Sequence, residues 1–176
     1  MPGRTATMSV LGGIFAMGAV VTAANIAVTK PLNDWVTWGH FVFPLAFLVT
    51  DIVNRLQGAA AARRVVLGGF LLAVAASLAL APTRIAIASG LAFLVGQLVD
   101  VAVFDRLRNM TWWRGPSVSS SIAAAVDTGI FYAVAFAGTG DPWLQCGAVD
   151  FGVKLVMILP LLAPFRLLTR HWRAAA

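Results

Sequence analysis

The sequence predicts an all-α, polytopic membrane protein: six transmembrane helices with both termini in the cytoplasm. Three observations lead there. The 176 residues are 60% hydrophobic and only 11% charged, against about half and about one quarter in ordinary soluble domains. The mean hydropathy is +0.86. The apolar residues are gathered into long runs separated by short segments that carry the arginines. A spanning helix takes roughly 20 residues, so six of them leave no length for a second soluble domain or a nucleotide-hydrolysing domain on the same chain.

The spans are expected at about residues 8–29, 39–56, 65–81, 84–104, 117–138 and 143–168, all within one domain covering 1–176. Helix is the natural state for each, because in hydrocarbon every backbone N–H and C=O needs a partner within its own segment. The first run, with Arg4 ahead of it and Val21-Thr22-Ala23-Ala24 near its end, also has the form of a cleavable signal peptide; the more even design keeps it as a helix. The second is short and is extended past Arg55, whose head can snorkel to water. Pro44 in the second, and Pro160 and Pro164 in the sixth, each free a backbone carbonyl and favour kinks. In the second and fourth, Leu45-Ala46-Phe47-Leu48-Val49 recurs as Leu91-Ala92-Phe93-Leu94-Val95. Continuing in register, Asp51 aligns with Gln97 and Asn54 with Asp100, a pattern that fits a parallel repeat of helical hairpins.

Charge sets the orientation. Of 13 Lys and Arg, ten fall at one face if the N-terminus is inside: Arg4, Arg55, Arg63, Arg64, Arg106, Arg108, Arg114, Arg166, Arg170 and Arg173. Lys30 and Arg84 fall at the other, which is the positive-inside distribution. Trp35, Trp38 and Trp143 then sit near the outer interface, and Trp112, Trp113 and Trp172 near the inner one. The basic excess is therefore a topology signal and not a nucleic-acid patch. A single cysteine, Cys146, excludes an internal disulfide, and His40 and His171 are far apart. No metal, cofactor or catalytic-triad spacing is present, so an enzyme is not expected.

The seven acids are all Asp, and four of them, Asp51, Asp100, Asp127 and Asp150, lie inside spans with Lys154. Ionisable side chains in a membrane are costly and usually face the bundle interior along a pathway. Asp51–Arg55 and Asp150–Lys154 are i,i+4 pairs that can bridge on one helix face, as structural or coupling ion pairs. Asp127 is near mid-membrane with no cation close in sequence, which favours a functional role. Asp51 is a candidate proton carrier, since desolvation disfavours the charged form of a carboxyl. Asn25 fits either an interhelical hydrogen bond or a ligand contact. Phe43 and Phe47, one turn apart, can stack on a flat ligand. The set Asn25, Phe43, Phe47, Asp51, Gln97, Asp100, Asp127 and Lys154 is the expected substrate-binding group. A planar heterocycle with a guanine-type N–H edge suits it; a metal cation or an amine also fits an Asp-rich pocket.

Several stretches resemble one known family. Thr37-Trp38-Gly39, Phe43-Pro44, Phe47-Leu48, Thr50-Asp51, Arg55, Gly58 and Arg63-Arg64 look like the second-helix signature of the Vut-type queuosine-precursor transporters. Arg84-Ile85-Ala86, Ala88-Ser89, Gly96-Gln97, Asp100-Val101, Val103-Phe104 and Arg106-Leu107-Arg108 resemble its fourth helix. Trp112-Trp113, Pro116, Ser119, Asp127-Thr128, Ala135-Phe136, Val149-Asp150 and Lys154 continue the likeness, so that ordered matches run from about Asn25 to Pro160. The resemblance implies a multi-pass importer in a bacterial inner membrane. Its cargo would be 7-cyano-7-deazaguanine or the aminomethyl counterpart, probed by Asp127 or Asp100 at the N–H edge and by Gln97, Asn25 and Lys154 at the carbonyl and cyano edges. It also implies likeness to the substrate-binding membrane subunits of energy-coupling-factor importers, and so an alternative role as a binding subunit for a separate energising complex. The expected partners are a deazapurine and the lipid bilayer, with no nucleic acid; a homodimer is left open. Two features depart from the family pattern: the turn near Pro82-Thr83 is very short, and Arg55 stands where many members carry an acid, although one branch carries Arg.

Overall fold

The computed structural model describes residues 3–80 and 83–170, with side chains described for 10–75 and 83–170. Ala81, Pro82, His171, Trp172 and Arg173 lie outside the described residues, as do the side chains of Arg4 and Met8. Seven helical segments follow in order: α1 Gly3–Ala27, α2 Gly39–Val42, α3 Leu45–Gln57, α4 Ala59–Leu80, α5 Thr83–Leu107, α6 Arg114–Phe136 and α7 Trp143–Thr169. Among the described residues there is no named strand; Pro31 and Thr37 form an isolated antiparallel bridge in the loop after α1.

The chain is apolar on the outside and buries charged side chains among apolar ones within. Phe15 (73% exposed), Leu71 (68%) and Leu159 (67%) point outward, while Asp51, Asn54, Arg55, Gln97, Asp100, Asp127, Asp150 and Lys154 are buried. Water would reverse that arrangement, because unpaired apolar surface is driven inward and charge outward. Lipid does not, so the pattern is that of a multi-pass membrane protein. Four helices, α1 (over Val10–Ala27), α5, α6 and α7, are long and apolar enough to cross a membrane among the described residues.

Helix bounds differ from the sequence-based ones in informative places. The second span is two pieces, α2 and α3, broken at Phe43-Pro44. Proline lacks the N–H that would continue the ladder; the Leu48 N–H resumes it on the Pro44 carbonyl at 3.4 Å. Pro160 and Pro164, by contrast, lie inside one continuous α7. The third helix begins at Ala59, not residue 65, so Arg63 and Arg64 are helical. Between α3 and α4 stands Gly58, at φ +89° and ψ 170°, a region essentially confined to glycine. Gly58→Ala is expected to cost about 1–3 kcal/mol, read as a lower unfolding midpoint in detergent; an unchanged midpoint would contradict this account of the turn.

The packing is a ring with a centre. Neighbours meet as α1–α4, α4–α5, α5–α6 and α6–α7, and α2 closes the ring by touching both α7 and α1. Short α3 lies inside, against α1, α4, α5, α6 and α7. Its relation to α5 explains the repeated pentapeptide. Thr50 Oγ1 donates to Gln97 Oε1 at 2.5 Å, and Asn54 Nδ2 to the Val101 carbonyl at 3.0 Å. Both contacts join residues 47 positions apart, a constant offset that requires parallel helices. The two copies turn equivalent faces inward: Ala46 and Ala92, Phe47 and Phe93, Asp51 and Gln97, Asn54 and Asp100 are all buried.

Candidate functional site: a cavity with a carboxylate–ammonium–carboxylate wall

Lys154 stands one helical turn after Asp150 on α7, and its Nζ donates to Asp150 Oδ2 at 2.6 Å. The same nitrogen crosses to α6, donating to Asp127 Oδ2 at 2.7 Å and to Thr128 Oγ1 at 2.9 Å. Thr128 in turn donates to Asp150 Oδ2 at 2.7 Å. Thus the ammonium spends its three N–H donors on two carboxylates and a hydroxyl. All four side chains are buried, and a buried charge is tolerable only when so paired and hydrogen-bonded. Counted formally, two acids and one base leave the cluster with one excess negative charge. Asp127, which has no cation near it in sequence, receives its partner from another helix.

Two further groups reach this cluster from α2 and the residue that caps its C-terminal end. The Phe43 ring lies 5.2 Å from Lys154 Nζ, centroid to nitrogen, within cation–π range. The His40 Nε2 lies 3.8 Å from Asp150 Oδ1. His40 Nδ1 accepts the Thr37 backbone N–H at 3.0 Å, which puts the proton of a neutral ring on Nε2, facing the acid. The break at Pro44 matters here, because it makes α2 a separate helix from α3. Gly39 allows α2 to lie against α1: a Cβ there would come 3.0 Å from the Val28 Cα and 3.1 Å from its nitrogen.

The cluster forms one wall of a cavity of about 410 Å³. That is an ordinary size for a small-molecule site, roughly 300–1,000 Å³. Asn25 from α1, Ser89 from α5, and Phe131 and Tyr132 from α6 complete it, with Ala24, Gly39 and Ala92 as small floor residues. Phe131 and Tyr132 pack edge to face at 5.1 Å. The site thus offers carboxylate acceptors, an amide, a hydroxyl, an imidazole N–H and three aromatic rings. A second cavity of about 340 Å³, shared through Asn25, Phe43, Ala86 and Ser89, extends it between α1, α4 and α5 along apolar walls.

Of the residues expected from sequence to bind substrate, Asn25, Phe43, Asp127 and Lys154 meet at this cavity, with Asp150 beside them. Phe47, Asp51, Gln97 and Asp100 do not line it. They lie further along α3 and α5, toward the Gln57 end. Phe47 packs on Ala123, Ala124 and Phe151. Asp51 accepts Ser119 Oγ at 3.3 Å and Ser120 Oγ at 3.2 Å from α6. The Arg55 guanidinium binds the Arg108 carbonyl and, at 3.5 Å, that of Trp112. It also rests against the Phe104 and Phe165 rings at 5.2 and 5.7 Å. Arg55 therefore anchors the end of α3 to the α5–α6 loop.

Sequence reasoning passed over His40, Thr128, Ser89, Phe131 and Tyr132. Thr128 directly follows Asp127, and His40 opens the span that Pro44 breaks; these were the available signals. Ser89 appeared only within the family-like stretch Ala88-Ser89, and Phe131 and Tyr132 had no signal, since an aromatic residue in an apolar helix faces lipid, neighbour or cavity equally well.

Comparison with known proteins finds relatives named as transporters. A family described as "Putative vitamin uptake transporter" matches residues 37–81 and 77–168. The chain is 36% identical over 154 residues to a "Probable queuosine precursor transporter" of Haemophilus influenzae, covering 73% of this chain and 66% of that one. It is 31% identical over 174 residues to a "Queuosine precursor transporter" of Escherichia coli, covering 82% and 79%. With a "Probable queuosine precursor transporter" of Bacillus subtilis it shares 29% over 182 residues, covering 84% and 79%. These names describe transporters and not an enzyme. No solved structure matches.

Proposed function

The chain belongs to the Vut-type family of vitamin uptake transporters, and from that membership we propose that it imports queuosine precursors across a bacterial inner membrane. The cargo we assign is 7-cyano-7-deazaguanine, with the aminomethyl base as a close variant. One observation carries the reading: Lys154, bracketed by Asp127 and Asp150, in the wall of an aromatic-lined cavity. A guanine-type base presents two adjacent N–H donors beside one carbonyl acceptor. Lys154 occupies the Oδ2 atoms of both acids, which leaves Asp127 Oδ1 for the N–H edge. Asn25 and the His40 Nε2–H supply donors for the carbonyl and cyano groups. Phe43, Phe131 and Tyr132 provide faces and edges for the flat ring, a geometry that aromatic contacts favour.

In this reading six spans are counted by taking α2 and α3 as one, and both termini are cytoplasmic. Broken helices at a midplane site are a recurring device of transporters that work by alternating access. Trp35, Trp38 and Trp143 then mark the outer interface and Trp112 and Trp113 the inner one.

The test is uptake of labelled 7-cyano-7-deazaguanine into cells that cannot make it. Asp127→Asn is expected to lower uptake roughly tenfold or more, because a hydrogen bond to a charged group contributes about 1.5–3 kcal/mol. Wild-type uptake in that variant would overturn the recognition role. Purified chain in liposomes separates the alternative of a binding subunit: transport with no other protein present excludes a required energising complex.

A further inference from the structure

Away from the substrate cavity, α3, α5 and α6 enclose a second acidic site whose carboxylates do not line it. Asp51 on α3 and Asp100 on α5 lie within electrostatic and hydrogen-bonding range of one another, and Ser119 stands beside both. Asp100 is wholly buried, at 0% exposure. The two partners are treated unequally. Asp51 has one serine hydroxyl on each oxygen, Ser119 on Oδ1 and Ser120 on Oδ2. Neither oxygen of Asp100 has a hydrogen bond of normal geometry, and the Gln97 Nε2 and Asn54 Oδ1 beside it are likewise unsatisfied. A bare carboxylate so placed is costly, whereas a protonated carboxyl is a donor. A neutral Asp100 can give its O–H to Asp51, whose charge the two serines already support.

We propose that Asp51 and Asp100 share a proton and are the site at which inward proton movement is coupled to import, given that the chain is the importer described above. The step is an acid–base one: a carboxylate takes a proton from water on the outer side and later returns it to water on the inner side. A cavity of about 20 Å³ touches Asp51 and Ser120, room for about one water molecule, and gives the proton a carrier.

The surroundings suit such a switch. From α6 the pair meets the neutral Ser119 and Ser120. Arg55, one turn along α3, is the nearest cation on that helix, with Arg108 and Arg166 beyond it toward the same end; α7 adds the apolar Ile158, Leu161 and Phe165, which line the small cavity with Asp51. Losing the shared proton would set two like charges face to face between α3 and α5, which repel at low dielectric. The member that leads to the cargo site is α3. It continues back past Pro44 to Phe43 and to His40 of α2, which belong to the substrate wall. Proton release would therefore act on the cargo site through one broken helix.

The experiment uses purified chain in liposomes loaded with a pH-sensitive dye, with labelled 7-cyano-7-deazaguanine outside. With the exterior one pH unit more acidic, the wild-type chain should accumulate the base up to about tenfold if one proton accompanies each molecule. Adding the base without a gradient should acidify the interior. Asp100→Asn and Asp51→Asn should bring the internal concentration only level with the external one, with no acidification. Transport by the wild-type chain without acidification, accumulation by Asp100→Asn equal to wild type, or accumulation driven by sodium alone would each overturn the coupling site while leaving the transport reading intact. Absence of any binding or exchange by the wild-type chain would overturn both. Transport without acidification by the wild-type chain overturns the coupling site even if a variant fails to fold.

Discussion

Lys154→Met should abolish uptake and weaken the fold together. The substitution keeps an apolar stem of similar length but removes the cation 2.7 Å from Asp127 and 2.6 Å from Asp150. Two carboxylates would then face each other across α6 and α7 with no counter-charge. Breaking a buried pair from one side typically costs about 3–5 kcal/mol, a large share of a domain's net stability. The expected readings are a lower unfolding midpoint by tryptophan fluorescence in detergent and background uptake in cells. A companion variant separates the two effects. Lys154→Met with Asp150→Asn restores the cluster's single negative charge. It should regain much of the midpoint and still transport nothing, because the donor and acceptor pattern facing the cavity has changed. A Lys154→Met protein of wild-type stability would show that the three charges are not coupled as the geometry requires.

Gly96→Val should act on the same site from outside it. Gly96 lies where α5 crosses α6, and a Cβ there would come within 2.9 Å of the Asp127 Cβ and 3.4 Å of the Ala123 carbonyl. Backbone and Cβ atoms cannot turn aside as a flexible side-chain tip can, so the helices must separate. Overpacking of this kind costs about 1–3 kcal/mol. The functional loss should exceed the structural one, because Asp127 is the residue displaced and its 2.7 Å bond to Lys154 tolerates little movement. Uptake is expected to fall at least tenfold in Gly96→Val and less in Gly96→Ala, while both chains still reach the membrane. Wild-type uptake by Gly96→Val would mean that the tight crossing does not position the acid.

Much of this was legible residue by residue. The apolar runs announced helices, and Asp127, Asp150 and Lys154 stood out because charge inside such runs is costly. The i,i+4 spacing already placed Asp150 beside Lys154 on one face. The pentapeptide echo pointed to α3 and α5 as equivalent elements, and both do turn matching faces inward. Other features were not local and so were not legible. The partner of Asp127 is 27 residues away, and the separation of Asp51, Gln97 and Asp100 from the cavity depends on where α3 crosses α5.

The sequence by itself determined the solvent, the helical class and the stock of polar groups inside the membrane, because lipid penalises each unsatisfied group wherever it falls. Only the tertiary structure decided which of those groups face one another. Rotation about a helix axis and the offset of a crossing are set by packing between distant segments: Gly96 against Asp127, Gly39 against Val28, Thr50 against Gln97. Those contacts divided eight candidate residues, four lining the larger cavity and four, Phe47, Asp51, Gln97 and Asp100, lying away from it.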